Sequence, residues 1–404
     1  MLLIVATLIV VVLILLLIAA NMDWLHHLQQ LGMLVRSDDA SVNLPVDTPV
    51  SLALSIIIPA RNEARNIARC LDGVLSQQTQ LNYEIIVVDD GSTDDTPTIL
   101  ADYAKRKPHR IRVLQGRPLQ PGWVGKCNAC QHGAEAARGE WLLFLDADTE
   151  ASPQLIESML DLARYDQLDA LSIMPFNQLV SLSERVVLPI FWFFAFMVFP
   201  GLRGHKPEIK PAQAMAVGQC FMFKARVYYA LGGHAAVSDK VLEDVEFAQV
   251  LRASGYRLGM STGFDEIRVR MYHNFDEVAL GLMKHARAGL HLSGWRGYWA
   301  IFSTVAVSIL PLVLLIARLL QWQLGQFDPV FGIAVLSSIV CYVASLQLWA
   351  QVYAKLFKLS ALHAFMAPFG MVAYLAIALM GILRVTFKRG IIWKGRVYEA
   401  NTSG

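Results

Sequence analysis

Asp146 and Asp148 stand one residue apart at the end of the apolar run Trp141-Leu-Leu-Phe-Leu145. A strand turns its side chains to opposite faces at each step, so both carboxylates can point to one side where the strand opens into a loop. Two hard oxygen donors so placed suit Mg²⁺ or Mn²⁺, and such an ion commonly bridges a protein to a diphosphate. Alone the pattern is weak, because Asp also ends strands simply by starting turns. Its company is what gives it weight. Ser55-Ile-Ile-Ile-Pro59 runs into Ala60-Arg61-Asn62-Glu63, and Glu84-Ile-Ile-Val-Val88 runs into Asp89-Asp90-Gly91-Ser92-Thr93-Asp94-Asp95.

These clusters need a scaffold, and the intervening sequence supplies one. Ala64 to Gln78 reads as a helix with Ile67, Leu71, Val74 and Leu75 on one face. A third strand is expected over Ile111 to Leu114, after another helix and before Trp141 to Leu145. Strands alternating with helices predict an α/β domain with a mainly parallel, doubly wound sheet. In such sheets ligands sit beyond the carboxyl ends of the strands. The clusters after Pro59, Val88 and Leu145 all lie at such ends.

Composition sets the surroundings. Of 404 residues, 55% are hydrophobic and only 17% charged, and the mean hydropathy is positive. That is too apolar for a soluble chain of this length and points to a membrane protein. Leu2 to Ala20 is uninterrupted and long enough to span a bilayer, and it lacks the basic start of a cleaved signal, so residues 1–21 are expected to be a retained anchor. Residues 22–50, polar and with two prolines, read as a linker, and 51–298 as the globular domain. Three more spans are expected within 299–384, at Trp299–Leu320, Phe331–Ala354 and Ala361–Leu383, followed by a basic tail over 385–404. The segment 186–202 is short, aromatic and flanked by prolines, which predicts an interfacial or re-entrant element rather than a crossing.

The formal net charge of +2 and the lack of a basic, aromatic-interleaved run argue against nucleic acid as a partner. Five cysteines argue against a disulfide framework. Cys127-Asn-Ala-Cys130 has metal-like spacing, but without a second pair it is expected to pack on a helix. The loop from Gln321 to Pro329 has no Lys or Arg, whereas Lys355 and Lys358 follow the next span. The positive-inside rule then places the globular domain in the cytoplasm, on the inner face of the cell membrane. Three full crossings would put the basic tail outside, against that rule. A break at Pro368 and Gly370 into a re-entrant hairpin would bring it back inside.

The ordered set Pro59-Ala60-Arg61-Asn62-Glu63, Val88-Asp89-Asp90-Gly91-Ser92-Thr93-Asp94, Gly125-Lys126, Asp146-Ala147-Asp148 and Glu243-Asp244 resembles the family 2 glycosyltransferases of GT-A fold, over roughly residues 52–290. The anchor, the C-terminal spans, Gly122-Trp-Val-Gly125-Lys126 and the tail Trp393-Lys-Gly-Arg-Val-Tyr398 resemble the branch that glycosylates membrane lipids, among them the carotenoid (diaponeurosporenoate-type), hopanoid-associated and ceramide glucosyltransferases. The resemblance implies an inverting, metal-dependent hexosyltransferase that takes a UDP-sugar to a hydrophobic lipid acceptor at the bilayer surface. It implies that Ala60, Arg61, Glu63, Asp89 and Asp90 line the nucleoside pocket, and that Lys126 lies near the phosphates. Asp148, with Asp146, would hold Mn²⁺ or Mg²⁺, and Asp244, beside Glu243, would be the general base. The oligomeric state is left open.

Several residues carry other readings. Ser92 to Asp95 has capping-box spacing, so Asp94 and Asp95 are expected at a helix N-terminus. Glu243-Asp244 also begins a helix, where the dipole alone would favour acidic residues. Gly218-Gln-Cys-Phe221 is expected on the acceptor side, Gly232-Gly233 in a turn, and His273 in a structural role. Processive members of the family carry a Q-x-x-R-W motif after the acidic pair. Here the region reads Leu282-Met-Lys284-His-Ala-Arg287, without the tryptophan, which weakens a polysaccharide-synthase reading and leaves Lys284 or Arg287 to approach the diphosphate. A non-catalytic membrane scaffold is the alternative from outside enzymes.

Overall fold

The structure, a computed structural model, describes residues 2–30, 52–199, 210–325, 331–387, 391–393 and 396–398. Strands β1 (Leu54–Ala60), β2 (Tyr83–Asp89), β3 (Ile111–Gln115) and β4 (Trp141–Leu145) pair in parallel in the order β3-β2-β1-β4. They are continuous apolar runs because helices cover both faces of the sheet. Ile56 and Ile58 join the core under α2 (Ile67–Leu75), α3 (Thr96–Arg106) and α5 (Leu155–Tyr165). Ile57, pointing the other way, joins the core under α4 (Gly125–Ala136), α7 (Ala225–Ala230) and α8 (Glu243–Ala253).

Beyond β4 the sheet continues through β7 (Cys220–Lys224), β6 (Ala170–Asn177), β8 (Leu258–Val269) and β5 (Thr149–Ala151). The doubly wound reading holds, with reversals: β7 is antiparallel to β4 and β6, and β5 is antiparallel to β8. β7 lies directly beside β4. Its approach segment, Ala214 to Gln219, therefore ends next to the Asp146 turn, where the Gln219 carbonyl accepts from Asp146 N at 3.1 Å.

The aromatic segment forms a helix packed against other helices of the protein. α6 (Leu182–Val198) opens with a capping box in which Ser181 accepts from Glu184 N and Glu184 accepts from Ser181 N. Glu184 is fully buried against Arg270, at 3.3 Å. Val187, Leu188, Ile190, Trp192, Phe193, Phe194 and Phe196 are all buried, so α6 does not present its aromatics outward. It is covered by α9 (Phe275–Ser293), α10 (Trp295–Ser308), α12 (Phe331–Phe357) and α13 (Ala367–Thr386). An all-round apolar helix fits a buried site, and here the cover comes from C-terminal helices far away in sequence. Pro200-Gly201, at the end of that segment, lies outside the described residues.

Among the described residues, three stretches are long and apolar enough to cross a membrane: Trp295–Gln323, Phe331–Phe357 and Ala361–Arg384. The first combines α10 with α11 (Leu310–Gln323), joined at Ile309 just before Pro311. The last begins with a short 3-10 turn, Ala361–Met366, and then runs as one helix, α13. The expected hairpin at Pro368 and Gly370 is therefore absent. Pro368 falls in the first turn, where its missing N–H costs nothing. At the other end α1 (Leu2–Gln30) continues past the boundary expected at 21, making 22–30 helical, and packs on α12. The rest of the expected linker lies outside the described residues. A short hairpin, β9 (Ile391–Trp393) with β10 (Arg396–Tyr398), ends the described chain.

Candidate active site

The loops after β1 and β2 are stitched to each other. Asp90 N donates to the Ala60 carbonyl at 2.8 Å, and the Arg61 guanidinium donates to the carbonyls of Asp90 and Gly91. Asn62 takes a left-handed φ of 53°. Its side chain accepts from Thr93 N at 2.8 Å while its own N–H donates to Ser92 Oγ at 3.0 Å. Glu63 N donates to Thr96 Oγ1 at 2.8 Å, and the buried Glu63 carboxylate accepts from Asn66. Asp89, also buried, accepts from Ser92 N at 3.0 Å.

The expected capping box at Ser92 is not formed. Asp95 is the N-cap of α3 without a side-chain cap bond. Asp94 instead accepts from Ala64 N and Thr96 N, at 3.1 and 3.0 Å. Asp94 thus serves the start of α3, as expected, and with Ser92 also ties that loop to the one after β1, a long-range role that local spacing does not show.

The four strand-end loops open into a single cavity of ≈ 320 Å³. At its polar end it is lined by Ala60, Arg61, Glu63, Asp90, Lys126, Asp146, Asp148, Glu243 and Asp244. Asp89 is not among its lining residues and serves the loop from behind. Lys126, on the first turn of α4, reaches Asp146 Oδ1 at 2.9 Å and Glu243 Oε1 at 3.0 Å. Burial disfavours its charge, yet Asp146 and Glu243 hold its pKa well above the ordinary lysine value. Glu243 is likewise penalised by burial, but Lys126 and then Lys284 bring it below the usual glutamate value.

Asp244 departs in the opposite direction. Burial first, and then the Glu243 charge beside it, push its pKa up to about 6, against Lys126 and two backbone N–H donors. Those donors are Gly218 N at 2.7 Å and Val245 N at 2.8 Å. A side chain at Gly218 would crowd this arrangement. A Cβ there would lie 3.1 Å from Asp244 Oδ2 and 3.2 Å from Lys126 Nζ. Two adjacent acids are thus held in different protonation regimes, one ion-paired and one poised near neutrality.

Among the described residues no three His, Cys, Asp or Glu side chains come together as a metal cluster. The donor set still fits a hard divalent ion, since Mg²⁺ and Mn²⁺ are commonly held by one or two carboxylates with the remaining positions taken by substrate phosphates and water. Asp146 and Asp148 line the same cavity, with Asp146 shared with Lys126. Cys127 and Cys130 are buried on α4, and burial pushes both thiols up, away from thiolate chemistry. His273 pairs with Glu277 at the start of α9, a structural placement. Gly232 and Gly233 both have positive φ, 86° and 62°, and form a turn.

Some of the site has no signal in the sequence. Tyr272 lines the cavity, and its hydroxyl is pushed up by burial and by Asp148. His234, buried behind Glu243, donates or accepts with Tyr228 Oη at 2.7 Å, and its pKa is lowered to about 3, chiefly by burial. Away from the carboxylates the cavity changes character. Phe191, Trp192, Phe194 and Phe199 of the α6 region, Ile301 of α10, and Tyr374, Leu375 and Ala378 of α13 form its walls. Gly218 and Gln219 stand at the junction, and Lys284 enters from α9.

Residues 55–232 match the family model described as glycosyl transferase family 2. The 4,4'-diaponeurosporenoate glycosyltransferase of Staphylococcus aureus strain MRSA252 is 25% identical over 286 residues, covering 70% of this chain and 69% of the relative. The protein of the same description from strain USA300 is 23% identical over 360 residues, or 86% of this chain and 88% of the relative. Among solved structures, the mannosyltransferase PcManGT from Pyrobaculum calidifontis, in complex with GDP-Man and Mn²⁺, aligns at a TM-score of 0.50 with 15% identity, covering 92% of this chain and 99% of that one. That likeness is one of fold.

Proposed function

We propose that this glycosyltransferase, whose family 2 domain spans residues 55–232, moves a sugar from a UDP-sugar to a membrane lipid of carotenoid or terpenoid type, with inversion, at the cytoplasmic face of the cell membrane. The observation that carries the reading is the continuity of the cavity. It joins the carboxylate and lysine cluster to walls of Phe194, Ile301 and Tyr374 in one cavity. A polar donor and an apolar acceptor need such neighbouring compartments, because each would be poorly solvated in the other's.

In this mechanism Ala60, Arg61, Glu63 and Asp90 accommodate the nucleoside, and Asp89 holds their loop in place through Ser92. Asp148 with Asp146 would hold Mg²⁺ or Mn²⁺, which when bound neutralises charge on the diphosphate leaving group. Lys126 and Lys284 supply fixed positive charge nearby, where a low-dielectric wall strengthens it. Asp244 takes the proton from the acceptor hydroxyl as that oxygen bonds to the anomeric carbon. The carbon–oxygen bond to the diphosphate breaks, and UDP departs with the electron pair. A carboxylate of pKa about 6 is a stronger base than an ordinary Asp and is still ionised at neutral pH. Glu243 positions Lys126 and raises the basicity of Asp244 through its charge.

The test is purified protein in detergent with Mn²⁺, a panel of radiolabelled UDP-sugars alongside GDP-mannose, and host lipid extract. One labelled lipid, formed from a UDP-sugar and lost in Asp244→Asn, is the expected result. Label confined to a polymer would overturn the single-transfer reading. Transfer only from GDP-mannose would overturn the donor. Nucleotide binding without any transfer would favour a scaffold.

A further inference from the structure

We infer that α13 does not cross the bilayer but lies along its surface on the side of the catalytic domain, as an interaction surface for lipid. Length and composition allow a crossing: from Ala361 to Arg384 the stretch is 24 residues and apolar. Its neighbours do not. Near its start, Gly370 lies so close to α6 that an added Cβ would stand 2.1 Å from the Val186 carbonyl oxygen. Val186 belongs to the first turns of α6, next to Arg185, whose carbonyl accepts from Tyr353 at the domain-side end of α12. That end is fixed to the sheet domain, since Lys358, just after α12, pairs with Asp265 of β8 at 3.0 Å.

Eleven residues later, Gly381 also lies close against α9, with an added Cβ 2.8 Å from the Met283 carbonyl oxygen. A helix rises 1.5 Å per residue, so a crossing helix would carry position 381 about 16 Å deeper than 370, to the middle of a hydrocarbon core about 30 Å thick. Instead it meets the residue before Lys284, which lines the catalytic cavity. Between the two contacts Tyr374, Leu375 and Ala378 face that same cavity. Beyond α13, strand β9 packs back on α9. Both ends and the middle of α13 are therefore held at the level of the catalytic domain.

The opposite face commits the partner. Phe369, Val372, Ala376, Leu379, Leu383 and Phe387 are exposed and recur at spacings of three and four, which makes one stripe. A continuous apolar stripe beside spanning helices calls for lipid, and Arg384 at its end suits the headgroup region. This placement also removes the conflict between crossing number and charge. With α1, α10–α11 and α12 crossing and α13 in plane, Lys355, Lys358 and the basic tail share one side. The loop from Gln321 to Pro329, without Lys or Arg, lies on the other.

The test uses the full-length protein in lipid vesicles, with a thiol-reactive fluorophore on Phe369→Cys, Ala376→Cys or Leu383→Cys. The five native cysteines are buried, which keeps background labelling low. Lipids spin-labelled near the headgroup should quench all three positions more strongly than lipids labelled near the chain end. Deepest quenching at Ala376→Cys would mean a crossing, and no quenching by either lipid would mean a protein partner; both overturn the inference. In sealed vesicles, labelling of Ser403→Cys by an impermeant maleimide, relative to permeabilised vesicles, should match Tyr165→Cys of the catalytic domain. Matching Gln326→Cys of the far loop instead would also overturn it. Neither readout depends on the donor, the acceptor or turnover.

Discussion

Replacing Asp244 by Asn removes the proposed base while nearly preserving shape, and the structure sets what should follow. General base catalysis contributes about 10²–10⁴-fold, which at about 1.4 kcal/mol per decade is about 3–5 kcal/mol on the barrier. kcat should fall by that factor. UDP binding should stay within about threefold, because the Asp244 carboxylate is engaged by Gly218 N and Val245 N rather than by the nucleoside loops. Asn offers one acceptor oxygen where Asp offers two, so one of those N–H groups loses its partner. The cost to stability should be about 1–3 kcal/mol, visible as a lower Tm without loss of fold. The pH profile gives an independent check. The ionised form is the active one, and its raised pKa means activity is lost as pH falls through about 6. That acid limb should be present in the wild type and absent in the residual activity of Asp244→Asn. Initial rates of lipid glycosylation from pH 5 to 8, with calorimetric UDP titrations, measure all of this. A variant within about threefold of wild-type kcat, or one that keeps the same acid limb, would refute the base assignment. An acceptor arriving as a carboxylate, with no proton to surrender, would behave that way.

Three further outcomes are expected. Asp148→Ala should abolish the enhancement of UDP binding by Mn²⁺ while leaving metal-free binding nearly unchanged, measured by titration with and without EDTA. Gly218→Ala places its Cβ 3.1 Å from Asp244 Oδ2 and 3.2 Å from Lys126 Nζ, so kcat should drop by at least an order of magnitude, roughly one decade per 1.4 kcal/mol of misplacement, with UDP affinity retained. Phe194→Asp puts a charge into the apolar end of the cavity and should raise the acceptor KM far more than the donor KM, read from initial rates with each substrate varied in turn.

The cluster around Lys126 shows how burial and pairing divide the labour. Lys126 is pulled toward Asp146 and Glu243 at once, and against the penalty of burial it holds the Glu243 carboxyl below the usual glutamate value. Asp244 receives only weak help from the same lysine, so burial and the Glu243 charge prevail. Lys126 is thus the group that makes two neighbouring acids unlike each other.

The sequence by itself determined the strands, the strand-end position of the acidic clusters and the kind of domain that holds them. Short β-branched runs such as Ser55-Ile-Ile-Ile-Pro59, alternating with helical segments, read as strands buried on both faces, and ligands in such sheets gather at one edge. Tertiary structure decided the rest, because it depends on groups that meet from distant parts of the chain. The raised pKa of Asp244 comes first from burial and then from the adjacent Glu243, against a lysine over a hundred residues upstream, and neither the burial nor the lysine is visible in local spacing. Asp94 and Asp95 stand at the start of α3 as their spacing suggested, but Ser92 and Asp94 also bind the neighbouring loop, thirty residues away. The aromatic run after Val186 and the apolar run after Ala361 each read as membrane elements, since hydropathy cannot distinguish lipid from protein as the apolar neighbour. Only packing separates the two: α6 is covered by helices except where it lines the cavity, whereas α13 meets α6 and α9 through glycines on one face and leaves Phe369, Val372 and Leu379 exposed on the other.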